Sequence, residues 1–429
     1  MRKLTVASIA SVCMVPMLFA SQDASAVPAF ARKYQTSCYT CHSGFPQRNA
    51  FGEAFKNNGY RWPGGEDEEK SKQEQTKMGS DGWKKTFPQS PWPSDIPGFA
   101  PFALYITGPL VNYSDKVENV VASKKTAQTL NWGGPVDARI LFGATVGENI
   151  GVVGALEKIS SGSTTTNLRV TYSFAPGINL GIGNGFSAFS GTASPTSPYT
   201  GIYSTAGTGV ELNYIPGKEG RFQVIGGLAS QGTATALSSS QIKVSGAGDT
   251  DTVTNGAANT NANKLTDVSY LRMKYKFGGA GLLSGAGGTY GNEFVGLDNS
   301  FAIGVNAVGT RAALSSETLT YGADISGNLG SFTAGAAWSR GRELGLNNYA
   351  IDAGYYLYPW LMARVKYANL GVVGIAQNKP TITPSLTAWL RANASLAASY
   401  KFNSKNLDPA KTDGTTLPNT FTLTAALAF

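Results

Sequence analysis

Most of this chain alternates apolar and polar residues in short runs. That two-residue period is typical of β-strands whose two faces meet different surroundings. The runs begin at about Phe99 and are separated by breaks rich in Gly, Asn and Ser. Representative runs are Arg139 to Phe142, Asn167 to Phe174, Gly209 to Ile215, Val268 to Phe277, Tyr349 to Tyr358, Leu361 to Tyr367 and Ala388 to Phe402. Beyond the N-terminal segment no run of about eighteen apolar residues occurs, so the pattern predicts strands and no transmembrane helix.

The connections between these runs are of two kinds. Short turns carry Pro and are flanked by aromatic residues, as in Phe174-Ala175-Pro176-Gly177, Ile215-Pro216-Gly217 and Tyr358-Pro359-Trp360. Two other connections, 187–206 and 231–264, are long and rich in Ser, Thr, Gly, Ala and Asn. Short turns at one end, long loops at the other and aromatic girdles at the strand ends are typical of an outer-membrane β-barrel.

The C-terminal run supports the same fold class. Thr420 to Phe429 is a clean amphipathic strand that ends in Phe, which resembles the assembly signal of bacterial outer-membrane proteins. One of its faces carries Phe421, Leu423, Ala425, Leu427 and Phe429. We therefore expect an all-β chain, a transmembrane barrel embedded in the lipid bilayer of the outer membrane.

The number of strands follows from length. Residues 99–429 number 331. At roughly 20 residues for each strand with its connection, they form about 16 antiparallel strands, within a range of about 14 to 18. The alternation of short turns and long loops is regular up to about Phe277. The turn at Pro359 then falls on the long-loop side, so the pattern leaves one strand boundary unlocated, between Gly278 and Leu319 or near Asn403.

Composition narrows the classes further. Charged residues make up 14% of the chain, against about 25% in soluble proteins. Gly accounts for 52 of 429 residues, or about 12%, against about 7% in soluble proteins. This low charge and the absence of a blade-length repeat oppose a soluble sandwich or propeller. The net charge is +8, but the basic residues are dispersed, so no nucleic-acid binding is expected. One His and three Cys exclude a His-based triad, a multi-His zinc cluster, a multihaem cytochrome and a disulfide scaffold.

The N-terminus predicts export. Met1-Arg2-Lys3 is a basic start, Leu4 to Ala20 is mostly apolar, and Ala24-Ser25-Ala26 is an A-x-A cleavage site. We expect residues 1–26 to be a cleaved signal peptide.

The remaining two Cys and the single His form one motif, Cys38-Tyr39-Thr40-Cys41-His42. C-x-x-C-H is the attachment pattern of c-type haem. Two thiols add to the vinyl groups of one haem, and the next residue offers an imidazole to the iron. A thioredoxin-like pair needs a βαβ context and a zinc site needs four ligands, and neither is present. The motif therefore predicts one covalent haem c on Cys38 and Cys41, with His42 as proximal ligand. A plain disulfide or redox pair stays the alternative.

The distal iron ligand is left open by the sequence. Met78 is the candidate nearest to the motif, whereas Met273 and Met362 lie in strand-like runs. A five-coordinate iron or a ligand other than Met is an equal alternative.

A short helix is predicted after the motif. Asn49 is a suitable N-cap and Gly59 a suitable C′ residue. Phe51 and Phe55 are spaced to share a face and to give a haem apolar cover. Nearby cations are candidates to pair with haem propionates. They are Arg32, Lys33, Lys56 and Arg61.

Four segments follow from these patterns. They are a signal peptide (1–26), a monohaem cytochrome c-like segment (27–63), a Pro-rich and charge-rich linker or plug (64–98) and a porin-like β-barrel (99–429). The segment 27–63 is expected in the periplasm or in the barrel lumen.

This order of motifs resembles the fused monohaem cytochrome–porins of the outer membrane. The residues that carry the resemblance are P-x-F-A-R from Pro28, C-x-x-C-H from Cys38, Phe45-Pro46 and N-x-F-G-x-x-F-K-x-x-G-Y from Asn49. The best-known members are iron oxidases of iron-oxidising bacteria, and porin-like proteins of metal-reducing bacteria are similar. The resemblance implies that Cys38 and Cys41 hold the haem and that His42 binds its iron.

We therefore expect an outer-membrane electron conduit that exchanges electrons between extracellular iron or another metal and periplasmic c-type cytochromes. It is an enzyme only in the sense of an Fe(II)-oxidising or metal-reducing oxidoreductase. Two alternatives are a porin for small solutes with a haem-binding plug and a channel that positions other cytochromes. The sequence does not indicate the direction of electron flow or whether the protein forms homo-oligomers.

Overall fold

The structure is a computed structural model, and the prediction for residues 1–26 falls outside the part of the chain that it describes. So do Met78, Phe429 and the loops 187–206 and 231–264. The described residues are 29–34, 36–44, 47–63, 75–76, 96–97, 101–115, 117–119, 124–126, 128–134, 136–146, 149–158, 164–184, 208–230, 268–285, 296–311, 317–341, 347–371, 378–391, 393–403 and 418–428. Among these, no helix is long and apolar enough to span a membrane.

The N-terminal segment is small and mixed in structure. Its elements are α1 (Ala29–Lys33), a 3-10 turn (Cys38–Thr40), β1 (His42–Gly44), β2 (Gln47–Arg48) and α2 (Ala50–Asn57). Strands β1 and β2 pair antiparallel. Farther on, β3 (Gln75–Thr76) and β4 (Ile96–Pro97) form a second two-stranded pair within the linker.

The rest of the described chain is a closed antiparallel barrel. A small hairpin of β6 (Val117–Asn119) and β7 (Lys124–Thr126) stands beside it. The barrel strands are β5 (Phe102–Ser114), β8 (Thr129–Trp132), β9 (Asp137–Val146), β10 (Ile150–Lys158), β11 (Thr164–Ala175), β12 (Ile178–Asn184), β13 (Thr208–Tyr214), β14 (Phe222–Ala229), β15 (Val268–Gly278), β16 (Ser300–Arg311), β17 (Glu317–Leu329), β18 (Phe332–Gly341), β19 (Asn347–Tyr358), β20 (Leu361–Gly371), β21 (Asn378–Arg391), β22 (Ala394–Asn403) and β23 (Thr420–Ala428).

Within the described residues these strands occupy sixteen positions around the barrel. Strands β8 and β9 share one position, because β9 pairs with the first half of β5 and β8 with its second half. Closure comes from β23, which pairs with β5 along Thr420 to Ala428. The predicted fold class and the count of about 16 strands are confirmed.

The two ends of the barrel differ as expected. The predicted turns at Pro176, Pro216 and Pro359 all lie at one end, which we call the short-turn end. One connection at this end is long, residues 279–299 between β15 and β16. It is the boundary that the sequence pattern could not locate. Because this long connection lies at the short-turn end, the Pro359 turn lies at that end too. The run Ala388 to Phe402 was wrong as a single strand, since β21 ends at Arg391 and β22 begins at Ala394.

Strand β15 shows how the wall is built. Arg272, Lys274 and Lys276 are buried and face the interior, whereas Leu271 and Tyr275 face outward. Large apolar side chains are exposed on this outer face all around the barrel. Examples are Phe142, Val170, Leu212, Ile303, Ile325, Ile351, Val365 and Leu386. An inside-out pattern of this kind suits a wall with lipid outside and polar contacts inside.

Exposed aromatic residues collect near the short-turn end of the outer face. Tyr358 and Trp360 stack with ring centroids 5.6 Å apart, and Phe277 stacks on Phe301 at 4.6 Å. Further exposed aromatics at this level are Phe174, Tyr214 and Phe332. The predicted aromatic crowding at the turns is confirmed, and it matches the position of an interfacial girdle.

The interior of the barrel contains the described residues of the N-terminal segment, 29–34, 36–44 and 47–63, which we call the plug. Asn179 and Gln223 are buried on the inner face of the wall, and both contact Asn57 of α2. On β10, a Cβ added to Gly151 would overlap the carbonyl oxygen of Gly59. Glycine at this position therefore lets the plug approach the wall. The contacted residues lie close to the strand ends, so the plug lies at the short-turn end.

Candidate haem-attachment site

The C-x-x-C-H motif forms one tight turn on the plug. Cys38 begins the 3-10 turn, where the Ser37 hydroxyl accepts a hydrogen bond from the Tyr39 N–H at 3.2 Å. The Cys41 N–H donates to the Cys38 carbonyl at 3.2 Å. Cys38 is buried, Cys41 is partly buried, and both are free thiols. The structure thus presents the two thiols on one turn, with His42 immediately after it as the first residue of β1.

Asn49 joins this turn to the helix that follows. Its side-chain oxygen accepts the Gly52 N–H at 3.0 Å, which confirms the predicted N-cap. Its amide nitrogen donates to the Tyr39 carbonyl at 2.8 Å, and its backbone N–H donates to the Cys41 carbonyl at 3.0 Å. A Cβ on Gly52 would overlap that same Cys41 carbonyl. The motif and α2 are therefore held as one unit.

Burial governs the protonation of the two cysteines. It raises the pKa of Cys38 to about 12, and together with the neighbouring Cys38 it raises the pKa of Cys41 to about 12. Both groups are therefore neutral thiols near pH 7. A redox-active C-x-x-C pair works through a thiolate with a lowered pKa, so these surroundings do not resemble such a pair.

Aromatic side chains hold α1 and α2 together. Phe55 contacts Phe30 with ring centroids 5.1 Å apart and Tyr34 at 5.9 Å. Phe51 contacts Trp62 at 4.9 Å, and Trp62 in turn contacts Tyr34 at 5.1 Å. Phe51 and Phe55 thus belong to one aromatic cluster of the plug.

The helix end also follows the prediction. Gly59 adopts φ +72°, the left-handed conformation of a C′ glycine, and its N–H donates to the Lys56 carbonyl at 3.1 Å. Tyr60 continues in the left-handed region with φ +64°, which costs about 1–3 kcal/mol for a residue with a side chain. This bend turns the chain against the inner wall at Gly151.

An ionic network ties the plug to the wall. Glu53 accepts from Arg48 at 2.9 Å and lies 3.7 Å from Lys274 of β15. Burial opposes ionisation of Glu53, but Arg48, Lys274 and Lys56 outweigh it and hold the pKa of Glu53 well below its usual range. The neighbouring Lys56 has its pKa lowered to about 7, first by burial and then by Arg48. The carboxylate is therefore ionised and shared by the plug and the wall.

The cations predicted to pair with haem propionates lie in different parts of the interface between the plug and the wall. Arg32 donates to the Phe102 carbonyl of β5, and Lys33 donates to the Thr145 hydroxyl of β9. These two residues fix α1 to the wall. Lys56 instead lines a polar cleft beside α2.

The three methionines considered as distal iron ligands differ in where they lie. Met78 is outside the described part of the chain and stays a prediction. Met273 faces outward on β15 between two inward-facing cations, so it cannot reach a group held in the plug. Met362 faces inward and packs with Leu297, Tyr356 and Trp389. Tyr356 lies beside Ser43, the neighbour of His42, which brings this cluster against the plug.

The contacts that hold the C-terminal end of α2 were not predicted from the sequence. The Asn57 amide donates to the Leu282 carbonyl at 2.9 Å, and the Asn58 amide donates to the Leu283 carbonyl at 3.3 Å. Both acceptors belong to the long connection between β15 and β16. The break in the regular alternation of turns was the only sequence signal for this connection.

The wall and the plug together define the class of protein. It is a transmembrane β-barrel of sixteen strands whose lumen holds a helical plug that carries two thiols on one turn and an imidazole directly after it. A single bound haem c fits the chemistry of this donor set, because it needs two free thiols and one adjacent imidazole.

Comparison with known proteins gives a likeness in architecture only. No protein-family model matches the chain, and no curated protein matches it. Among solved structures, an anion-selective porin from Comamonas acidovorans is 13% identical with a TM-score of 0.45, and 76% of this chain covers 99% of that one. OmpF of Salmonella typhi in complex with daunomycin is 10% identical with a TM-score of 0.47, and the coverage is 76% and 97%. The barrel assignment rests on the strand pairings.

Proposed function

We propose that this chain is an outer-membrane electron conduit. One c-type haem, attached through Cys38 and Cys41 with His42 as proximal iron ligand, is carried in the barrel lumen. It exchanges electrons between extracellular iron or another metal species and periplasmic c-type cytochromes. The observation that carries the proposal is the position of the C-x-x-C-H turn, which belongs to a plug inside a closed barrel rather than to an external domain.

The residues of the chain have distinct parts in this function. Bound haem would supply reversible one-electron chemistry. Asn49 and Gly52 keep the two thiols and His42 in fixed relation to α2. Glu53 and Asn57 fix α2 to the wall. The plug therefore keeps the donor set inside a wall that soluble carriers do not cross.

The orientation of the barrel supports the expected partners. Barrels of this class place short turns in the periplasm and long loops outside the cell. The plug lies at the short-turn end, where a periplasmic cytochrome would approach. Metal species would approach from the long-loop side.

The experiment is electron transfer across a sealed vesicle. The full-length protein is purified, tested for covalent haem and reconstituted with an oxidised or reduced cytochrome c inside. External Fe(II) or a ferric chelate is added, and the trapped cytochrome is followed by its absorption. Transfer in one direction is expected for the wild type and none for the Cys38→Ala/Cys41→Ala variant. Haem-loaded vesicles that transfer electrons in neither direction would contradict the proposal.

A porin for small solutes is the second candidate function. Its support is the closed sixteen-strand wall with a charged inner face, since barrels of this size can enclose an aqueous channel. Single-channel recording separates the two. Ion conductance that is unchanged in Cys38→Ala/Cys41→Ala, with no electron transfer by the wild type, would favour the porin.

A further inference from the structure

The long connection between β15 and β16 contacts the plug at two places. Its described residues form two limbs, which we call limb A (279–285) and limb B (296–299). Each limb is attached to a different sector of the wall, and each contacts a different end of α2. The connection is therefore placed to hold the plug in the lumen.

Limb A is fixed to the turn between β13 and β14. The Leu282 N–H donates to the Gly220 carbonyl of that turn at 2.6 Å. Leu282 and Leu283 are buried in one cluster with Ile215, the residue that follows β13. The limb therefore has an attachment to the wall that does not depend on the plug.

Limb B is fixed to another sector of the wall. Leu297 is 1% exposed and packs with Tyr356 of β19, Met362 of β20 and Trp389 of β21. Four strands, β15 to β18, lie between β14 and β19 along the wall. The two limbs thus reach separate sectors of the short-turn end, with α2 in contact with both.

Asp298 joins the two limbs where they leave the wall. One of its oxygens accepts from the Lys276 ammonium of β15 at 3.0 Å and from the Ala280 N–H of limb A at 2.7 Å. The other accepts from the Ser300 hydroxyl at 3.0 Å. Asp298 is buried, and hydrogen bonds are stronger in such surroundings than in water. The limbs therefore share one ordered base.

The limbs hold α2 at its two ends. At the C-terminal end, the side chains of Asn57 and Asn58 donate to two carbonyls of limb A. At the N-terminal end, the Ala50 N–H donates to the Gly296 carbonyl of limb B at 3.4 Å. Gly296 adopts φ +65°, and a Cβ there would lie 2.5 Å from the Asn49 amide nitrogen. Glycine thus allows limb B to lie directly against the start of α2.

We propose that this connection is a latch that keeps the plug in the lumen and the short-turn end closed to solutes. A barrel of sixteen strands can enclose an aqueous channel, so a plug that is held at both helix ends prevents ions from passing through it. The latch goes beyond the electron-conduit function and does not rest on it, because its contacts are made by the limbs and α2 and need no haem.

The first test is single-channel recording of the full-length protein in planar bilayers. Asn58→Ala removes the bond to limb A, and Gly296→Ala places a Cβ against Asn49 in a left-handed conformation that alanine disfavours. One hydrogen bond changes an equilibrium by about two- to tenfold, and we expect each variant to raise the fraction of time spent open by that factor. Gly217→Ala is the matched control, since Gly217 has φ +83° and its added Cβ meets open space.

A reversible cross-link supplies a second measurement. A Cβ on Gly285 of limb A would lie 3.2 Å from the Cβ of Pro63 in the plug, so a small adjustment brings the pair into disulfide range. Gly285→Cys/Pro63→Cys is combined with Asn58→Ala in the Cys38→Ala/Cys41→Ala protein, which removes the other thiols of the plug. We expect frequent openings when the pair is reduced and a return to the control level when it is oxidised.

The outcomes are separable. Heat-modifiable migration in gels verifies that each variant barrel is folded. Openings at the control level in both Asn58→Ala and Gly296→Ala would overturn the latch, and so would openings that persist after oxidation of the cross-link. If one of these two variants does not fold, the cross-link is tested in the other. Because the cross-linked protein is haem-free, a failure of electron transfer contradicts the proposed function and leaves the latch result standing.

Discussion

Asn49 shows how one side chain can secure a chemical motif. It caps α2 through its oxygen and binds the Cys38–Thr40 turn through its nitrogen. Its neighbour in this role is Gly52, whose missing side chain lets α2 contact Cys41. Asn49 therefore fixes the position of the Cys38–Thr40 turn as well as the start of α2.

This double role can be separated by two substitutions. Asn49→Ala removes both bonds, and loss of an N-cap alone costs about 0.5–2 kcal/mol. Asn49→Asp keeps the cap oxygen and loses the bond to Tyr39. We expect Asn49→Ala to lower covalent haem yield most, Asn49→Asp to lower it less, and both barrels to fold. Haem yield per folded protein, from absorption and gel migration, is the measurement. Equal wild-type yields in both variants would contradict this role.

Glu53 is the residue that makes plug docking acid-sensitive. Its pKa is lowered in the folded protein, so its ionised form stabilises the docked plug above its ordinary pKa near 4.3. That contribution is lost as pH falls through the lowered value. We expect the plug to resist protease from pH 8 to about pH 5 and to become cleavable only in stronger acid.

Glu53→Gln gives the matching test at neutral pH. Breaking a buried ion pair by removing one partner costs about 3–5 kcal/mol, and Glu53 serves two cations. We expect faster proteolysis of the plug at pH 7. Glu219→Gln, an exposed partner of Arg221, should leave the rate unchanged. Equal rates for the two variants would show that the network does not hold the plug.

At the scale of single elements, β15 decides what faces lipid and what faces the plug. Arg272 bonds to Asp324 of β17 at 2.6 Å and 2.9 Å, and Lys276 bonds to Asp298 at 3.0 Å. Leu271 and Tyr275, which alternate with these cations along the strand, project outward instead. The two-residue period thus separates two environments along one strand.

This separation predicts a depth-dependent cost on the outer face. Leu271→Lys places a charge in the apolar belt and is expected to destabilise the barrel by about 2–4 kcal/mol. Ser269→Lys is on the same face, nearer the strand end, and is expected to cost about 0–1 kcal/mol. Reversible denaturant unfolding in lipid or detergent measures both. Similar values for the two variants would contradict the proposed lipid boundary.

On strand β10, a glycine makes room for the plug. Gly151 leaves space for the Gly59 carbonyl, which a Cβ would occupy. We expect Gly151→Ala to leave barrel folding intact but to displace the plug, because backbone atoms cannot yield as a flexible side chain does. Gly226→Ala is the control, since its Cβ would meet only ordinary contacts at 3.8 Å. Protease accessibility of the plug should rise for the first variant alone.

At the scale of the whole molecule, the plug and the barrel are separate in strand pairing. The strand ladder closes on itself through β23 and β5 and does not include the plug. The plug contributes hydrogen bonds, ion pairs and aromatic packing at the short-turn end. The proposed electron transfer requires the plug in place, because Cys38, Cys41 and His42 belong to it.

Removal of residues 29–63 tests this division. We expect the shortened protein to form a heat-modifiable barrel, because the ladder is complete without the plug. Its single-channel conductance should exceed that of the full-length protein, since the short-turn end is no longer filled. A shortened chain that fails to fold, or one with unchanged conductance, would contradict this picture.

Much of the barrel could be predicted because its signals are local. Alternation, Pro turns and the C-terminal strand are each written in a few consecutive residues. The boundary at residues 279–299 could not be predicted in the same way. Its length and composition suggest an outer loop, but contacts of Leu282 and Leu283 with α2 place it at the short-turn end. The outward direction of Met273, by contrast, follows from the local alternation, because it shares a face with Leu271 and Tyr275 and not with the neighbouring cations.

The sequence alone determined the strand period and the approximate strand number, and it is the basis of the haem prediction for Cys38, Cys41 and His42, because each depends on residue type and spacing over short distances. Only the tertiary structure decided that the motif lies inside the barrel and that Asn49 ties it to α2. It alone brought Lys56 and Arg169 to one cleft, although they are more than a hundred residues apart. The reason is physical: closure of the barrel selects which distant side chains share the lumen, and no local pattern records that choice.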